Sequence, residues 1–251
     1  MITINPKYDN TDWRKWLYTL PKQFEHSGTV IYDARNQLRL FTNTPNGATV
    51  VVKRYGIPML WNRIVYTCFR KPKAMRAYDN ALRLTAADID TPEAIAYILE
   101  QHGGLITYSY LITKAVQNFR MLYEFGEHSI DGYEPIVRAL AHFAAALHTR
   151  DIYHRDFSPG NILWQMKDGV PHFTLIDINR MSFGHVGVSK ACRSFRRLWG
   201  NPPMMRLLAR EYAAARGWNA DRCEQLTLHY WRRFWRNRNP HFPLYDQQLG
   251  R

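Results

Sequence analysis

The order of patterns along this chain predicts an α+β protein in two parts, a small sheet-rich region followed by a larger helical one. Three observations carry that expectation. The short β-branched and aromatic runs bounded by turn residues fall mostly before Thr113. The longest helical stripe, Tyr133 to Thr149, follows them. Beyond Met181 the chain reads as helical and strongly basic. With 251 residues, 46% hydrophobic and 14% aromatic, it can bury a sizeable core and is not a low-complexity disordered polymer.

Thr29-Val30-Ile31-Tyr32 is a strand-like run, Ala34-Arg35-Asn36 a turn, and Leu38 to Phe41 a second strand. Asn43 to Gly47 is a strong turn signal, and Ala48 to Tyr55 is a β-branched strand with Lys53 toward its far end. Lys71 to Ala87 reads as a helix, closed by the linker that ends at Pro92. Ala94 to Glu100 and Leu105 to Thr113 are strands around Gly103-Gly104. Tyr133 to Thr149 places Ile136, Leu140, Phe143, Ala144 and Leu147 on one helical face. Asn161 to Gln165 and Phe173 to Ile178 form a hairpin about Lys167-Asp168-Gly169. The expected division is a sheet-rich part over 1–110, with a flexible start, and a helical part over 111–251.

The formal net charge is +13, and Ala191 to Arg251 holds twelve arginines against four acids. A chain this basic meets an anion: nucleic acid, phospholipid or another phosphate-rich surface. Met1–Asn10 is polar rather than basic-then-apolar, and no run approaches the ~18 apolar residues of a spanning helix. The expectation is a cytoplasmic protein able to touch a membrane at its periphery. Cys68, Cys192 and Cys223 are too few and too scattered for a disulfide framework or a metal site.

Tyr153-His154-Arg155-Asp156-Phe157-Ser158-Pro159-Gly160-Asn161 directly follows the long helix, and Asp177 ends the hairpin 21 positions beyond Asp156. A lysine, two aspartates and an asparagine at the ends of apolar elements are a toolkit for phosphoryl transfer. The lysine neutralises nucleotide phosphates, and one aspartate takes the proton of an attacking hydroxyl. The asparagine and the second aspartate offer the oxygen ligands that Mg²⁺ prefers.

Val51-Val52-Lys53, His154-Arg155-Asp156 through Asn161, and Leu175-Ile176-Asp177 resemble the motifs of the protein-kinase superfamily. Within it, Tyr32 to Asn36, Phe69 to Arg76 and Ile89 to Tyr97 resemble the lipopolysaccharide kinase (Kdo/WaaP) family. The resemblance covers about residues 28 to 218. It implies a two-lobed protein-kinase-like fold, ATP and Mg²⁺, and a sugar acceptor, a heptose or Kdo, in lipopolysaccharide inner core at the cytoplasmic face of the inner membrane. It further implies that Lys53 contacts the nucleotide phosphates, that Asp156 is the base, and that Asn161 and Asp177 hold the metal. Arg35 and Asn36 would lie over the phosphates, and Leu111 to Thr113 would meet adenine. His154 and Arg155 belong to the catalytic loop, His154 as its support.

The chain departs from the superfamily pattern in several places. No G-x-G-x-x-G covers the nucleotide, Ser158 stands where protein kinases carry a lysine, and Asp177-Ile178-Asn179 lacks the usual glycine. Two alignments are open for the helix acid that pairs the strand lysine: one selects Asp79, and the other falls on Ala77 and leaves Lys53 without that partner. A kinase for a protein or small molecule, and a pseudokinase-like binding module, are the competing functions. Trp231 to Arg238 interleaves rings with guanidiniums, which suits terminal packing, membrane or glycolipid contact, or, least favoured, nucleic acid. Lys190, Arg193, Arg196 and Arg197 form a second basic cluster suited to an acidic sugar or phosphate.

Overall fold

The structure, a computed structural model, describes residues 1–126, 129–236 and 238. The chain divides into two compact units, 1–117 with 177–179, and 118–176 with 180–251. The division falls after Gln117 rather than after residue 110. The strand crossing that point continues to Lys114, in register with its neighbours on both sides, and cannot be split between units.

The first unit is built on β1 (Ile2–Ile4), α1 (Thr11–Gln23), β2 (Thr29–Asp33), β3 (Asn36–Phe41), β4 (Val50–Tyr55), α2 (Leu60–Cys68), α3 (Lys73–Ala86), β5 (Ala94–His102) and β6 (Leu105–Lys114). Its strands form one antiparallel sheet in the order β1-β5-β6-β4-β3-β2. The expected flexible start is instead structured: β1 pairs with β5, and α1 follows. Asn10 caps α1 by accepting the Trp13 N–H at 3.0 Å. Trp13, Leu17, Leu20 and Phe24 recur at helical spacing and sink into a core with Phe41, Val50, Val52, Ile95 and Ile112. Six successive residues of β5, Ala94 to Leu99, are buried, as expected for a strand covered on both faces. Ile95 meets the α1 cluster, and Tyr97 packs edge-on to Tyr78 of α3. Gly103 and Gly104, at φ 59° and 75°, form the tight turn between β5 and β6 that only left-handed residues can make.

The second unit holds β7 (Arg120–Met121), α4 (Glu134–Thr149), β8 (Ile152–His154), β9 (Ile162–Lys167), β10 (Val170–Leu175), β11 (Met181–Phe183), α5 (Val188–Ser194), α6 (Pro202–Arg216) and α7 (Ala220–Arg236). Two small sheets, β10-β9-β7 and β11-β8, flank the helices. α4 buries Val137, Leu140, Ala141, Ala144 and Leu147 and packs on α6. α6 starts with Asn201 accepting the Met204 N–H and ends at Gly217 in the left-handed region. None of the described helices is long and apolar enough to cross a membrane.

Candidate active site

In the first unit, Lys53 sits on β4 with its side chain 16% exposed, and its Nζ donates to Asp177 Oδ1 at 2.5 Å. Asn179 Nδ2 donates to the same oxygen at 2.7 Å. Asp177 has φ 53°, a conformation that aspartate tolerates better than most side chains. Asn80, buried on α3, donates to the Ile178 carbonyl at 2.7 Å and so ties the 177–179 segment to the helix. The Tyr55 ring lies 5.2 Å from Lys53 Nζ and 5.9 Å from Lys73 Nζ. Burial, and then Asp177, holds the Tyr55 hydroxyl above its ordinary range. Burial, and then the Arg35 guanidinium, pushes the Lys73 ammonium down, with Asp177 opposing. Arg35, Lys53, Lys73 and Arg76 therefore form a cationic neighbourhood around one carboxylate.

The Asp79 alternative fails here. Asp79 pairs with Lys71 at 2.6 Å rather than with Lys53, while Ala77, like Ala74 and Leu84, is fully buried on α3. One turn on from Ala77, Asn80 makes the helix contact, and it reaches backbone rather than lysine. Asn36 begins β3 opposite Tyr55 rather than lying in the turn, and only Ala34 and Arg35 connect β2 to β3. Leu111 and Thr113 lie inside the sheet, in register with Lys53 and Val51 on one side and Tyr97 and Ala94 on the other. Their backbone belongs to the ladders, and the chain leaves the sheet only after Lys114.

In the second unit, His154 is buried at the end of β8. Its Nδ1 accepts the Asp156 N–H at 3.1 Å, so its Nε2 carries the proton toward the Ile176 carbonyl at 3.2 Å. Asn161 Nδ2 donates to the Asp156 carbonyl at 2.9 Å and to Ser158 Oγ at 3.2 Å. Gly160 lies close under Tyr123: a Cβ there would stand 2.8 Å from the hydroxyl of that half-exposed side chain, which would have to shift. These contacts hold the loop from Asp156 to Asn161 in one shape. Asp156 Oδ1 accepts Arg197 Nη1 at 2.6 Å, with the two side chains 18% and 23% exposed. Burial pushes the Arg197 guanidinium down from its ordinary value while Asp156 pulls the other way. Arg155 donates its backbone N–H to the Arg180 carbonyl at 3.2 Å, and its residue is exposed.

The remaining basic features are distributed by packing. Trp231 and Trp235 both donate their indole N–H to the Leu198 carbonyl, at 3.0 and 3.2 Å. Arg197 lies over the Phe234 ring at 5.4 Å. The rings of this segment are thus engaged within the unit, and Trp231 is fully buried. Asn237, within the same run, lies outside the described residues. Of the second cluster, Arg197 is on Asp156 and Lys190 lies over the Tyr153 ring at 5.0 Å; Arg193 is exposed.

One unit holds a lysine–aspartate pair and the other an aspartate–asparagine loop, side-chain types that phosphoryl transfer uses. The model of the lipopolysaccharide kinase (Kdo/WaaP) family matches residues 41–198, which span both sets of residues. The chain belongs to this family. Membership makes it a kinase of lipopolysaccharide biosynthesis. Among solved structures, that of "WaaP in complex with acyl carrier protein" is similar in fold. It is 14% identical, with a TM-score of 0.57, and the match covers 90% of this chain and 99% of that one. No curated protein sequence matches. The Kdo/WaaP kinase described here thus has a protein-kinase-like fold, with a β-rich first region and a helical second. Sequence reasoning passed over Lys73, Asn80 and Asn179, and it placed Arg197 with the acceptor. Lys73 and Asn80 repeat at helical spacing along one side of α3, a signal that was present but carried no motif.

Proposed function

We propose that this Kdo/WaaP kinase transfers the γ-phosphoryl group of ATP to a hydroxyl of a heptose or Kdo in lipopolysaccharide inner core. The observation that carries the reading is the Asp156 loop, whose carboxylate is held by Arg197 and whose shape is fixed by His154 and Asn161. Asp156 orients the sugar hydroxyl and accepts its proton as the oxygen attacks the γ-phosphorus and the bond to the bridging oxygen breaks, releasing ADP. Lys53 contacts the nucleotide phosphates, and Arg35, Lys73 and Arg76 add positive charge around them. Backbone beyond Lys114 faces adenine in place of Leu111 and Thr113.

The donor chemistry of Asn161 and of Asp177 suits magnesium. Both offer hard oxygen donors, and Asn161 spends its Nδ2 on the loop, which leaves its carbonyl oxygen for a cation. When bound, Mg²⁺ shields the charge of the transferring group. Arg197 supplies the cation beside the base that Ser158 cannot. The acceptor's lipid end places the reaction at the cytoplasmic face of the inner membrane.

The test is phosphorylation of core oligosaccharide with ATP and Mg²⁺. Wild type yields a product heavier by one phosphoryl group, and Asp156→Ala yields none while still binding nucleotide. Absence of product from wild type on every core acceptor, with nucleotide binding intact, favours a pseudokinase-like module. Transfer to soluble amino-sugars or protein instead identifies a small-molecule or protein kinase.

A further inference from the structure

α2 carries its amphipathicity inside out. Its polar side is the side that meets the sheet: Arg63 Nε donates to the Ile106 carbonyl at 2.8 Å, and Thr67 Oγ1, one turn on, accepts the Ile106 N–H at 3.1 Å. No residue of the helix is buried. The apolar side faces water, with Trp61 80%, Val65 38% and Phe69 82% exposed at successive four-residue steps. Met59 and Leu60, at the entry to the helix, are 79% and 64% exposed. Isolated exposed apolar residues are ordinary, but a contiguous stripe of them on one helix marks a surface that is covered in use.

The charge around the stripe narrows what covers it. At the C-terminal end of the stripe stand Arg70, which is exposed, and Lys71, whose side chain stays 59% exposed in its pair with Asp79. A second copy would bring its own cations against these, so self-association through this face is opposed by like charge. An exposed apolar stripe ending in two cations matches an anionic bilayer, where rings enter the headgroup boundary and a guanidinium and an ammonium meet lipid phosphates.

We propose that α2, with Met59 before it and Phe69-Arg70 after it, is the element that seats this kinase on an anionic lipid surface. The inference deepens the glycolipid-kinase reading by naming the face that meets the membrane, and it rests on that reading for its purpose. It moves membrane contact away from the aromatic run on α7, whose rings are engaged in packing.

Cys68, at the end of α2, provides the probe. It is exposed, whereas Cys192 and Cys223 are buried, and burial pushes the Cys192 thiol up to about 12. Cys68 labelled with nitrobenzoxadiazole should shift to the blue on adding phosphatidylglycerol–phosphatidylethanolamine vesicles, and much less with phosphatidylcholine vesicles. Unlabelled protein should cosediment with the anionic vesicles, and Trp61→Ser/Phe69→Ser should lower that partitioning about tenfold or more. Both side chains are exposed, so the fold should survive, as circular dichroism will report. The proposal is overturned if unlabelled wild type stays in the supernatant, or if the double variant partitions as well as wild type. It is equally overturned if the shift appears only with acyl carrier protein, or only on raising protein concentration without lipid. Phosphorylation of delipidated core oligosaccharide separates the two readings. The double variant should retain it; its absence from wild type sinks the kinase assignment and leaves the partitioning result to decide the docking surface by itself.

Discussion

Asp156 is held as an ion pair with a residue 41 positions downstream, and local motif spacing cannot show that contact. The loop from Asp156 to Asn161 contains no basic residue to do this work, since Ser158 occupies the position and Arg197 supplies the charge from beyond α5. Arg197→Ala should lower turnover by about tenfold to a hundredfold, and Arg197→Lys should restore part of it, because charge survives without the planar fork. Steady-state kinetics on core oligosaccharide checks this. Asn80→Ala removes a buried donor from the Ile178 carbonyl and should cost roughly 1–3 kcal/mol. It should also raise KM for ATP, as the segment bearing Asp177 loses its tether; a urea titration and an ATP dependence read the two effects. The places of Lys53, His154, Asp156, Asn161 and Asp177 on or beside strands and in one loop were legible, because short motif spacing ties them to those elements. Their partners were not, because ion pairs such as Lys53–Asp177 close across more than a hundred residues.

At the scale of elements, most strands and the two helices α3 and α4 were legible from turn residues and periodicity. α1 was not, although Trp13, Leu17, Leu20 and Phe24 keep helical spacing. Pro21 within it and the polar residues beside its buried face weaken the pattern. Trp13→Ala should cost about 3–5 kcal/mol, since the ring is fully buried in the α1 cluster; thermal unfolding measures it. Leu111 to Thr113, expected to meet adenine, stay within the ladder because a strand's length is set by its partners, and β4 continues opposite. On α3, the exposed Asp79–Lys71 pair predicts that Asp79→Ala leaves ATP affinity and turnover essentially unchanged. A large rise in KM for ATP would show that Asp79 serves the nucleotide after all.

At the scale of the whole molecule, one buried histidine sets an acid limit. His148 hydrogen-bonds the Tyr212 hydroxyl at 2.8 Å. Burial, and then the positive charges of Arg216 and Lys190, pushes its pKa down to about 3. The unfolded chain takes up this proton near its ordinary value of ~6.5, whereas the folded protein does so only near 3. Stability is therefore undiminished by this group above the ordinary histidine value and falls as pH drops through the window below it, by up to about 1.4 kcal/mol per pH unit. His148→Gln should flatten that limb in urea midpoints measured at neutral and mildly acid pH. The net charge of +13, first a general sign of a polyanionic partner, resolves into distinct groups. These are the cations around Asp177, Arg197 on Asp156, and Arg70 with Lys71 just after α2.

The assignment of residues 177–179 to the first unit has a consequence for how the protein is made. A ribosome finishes the six strands of that unit by Lys114, but about sixty more residues must be joined before Asp177 exists. Until then the nascent sheet holds a lysine with no aspartate to meet it and an asparagine on α3 with no Ile178 carbonyl to bind. The first unit is thus completed late in synthesis, after the strand, loop and hairpin bearing Asp156 and Asn161 have been added, so a prematurely ended chain lacks the carboxylate that pairs with Lys53.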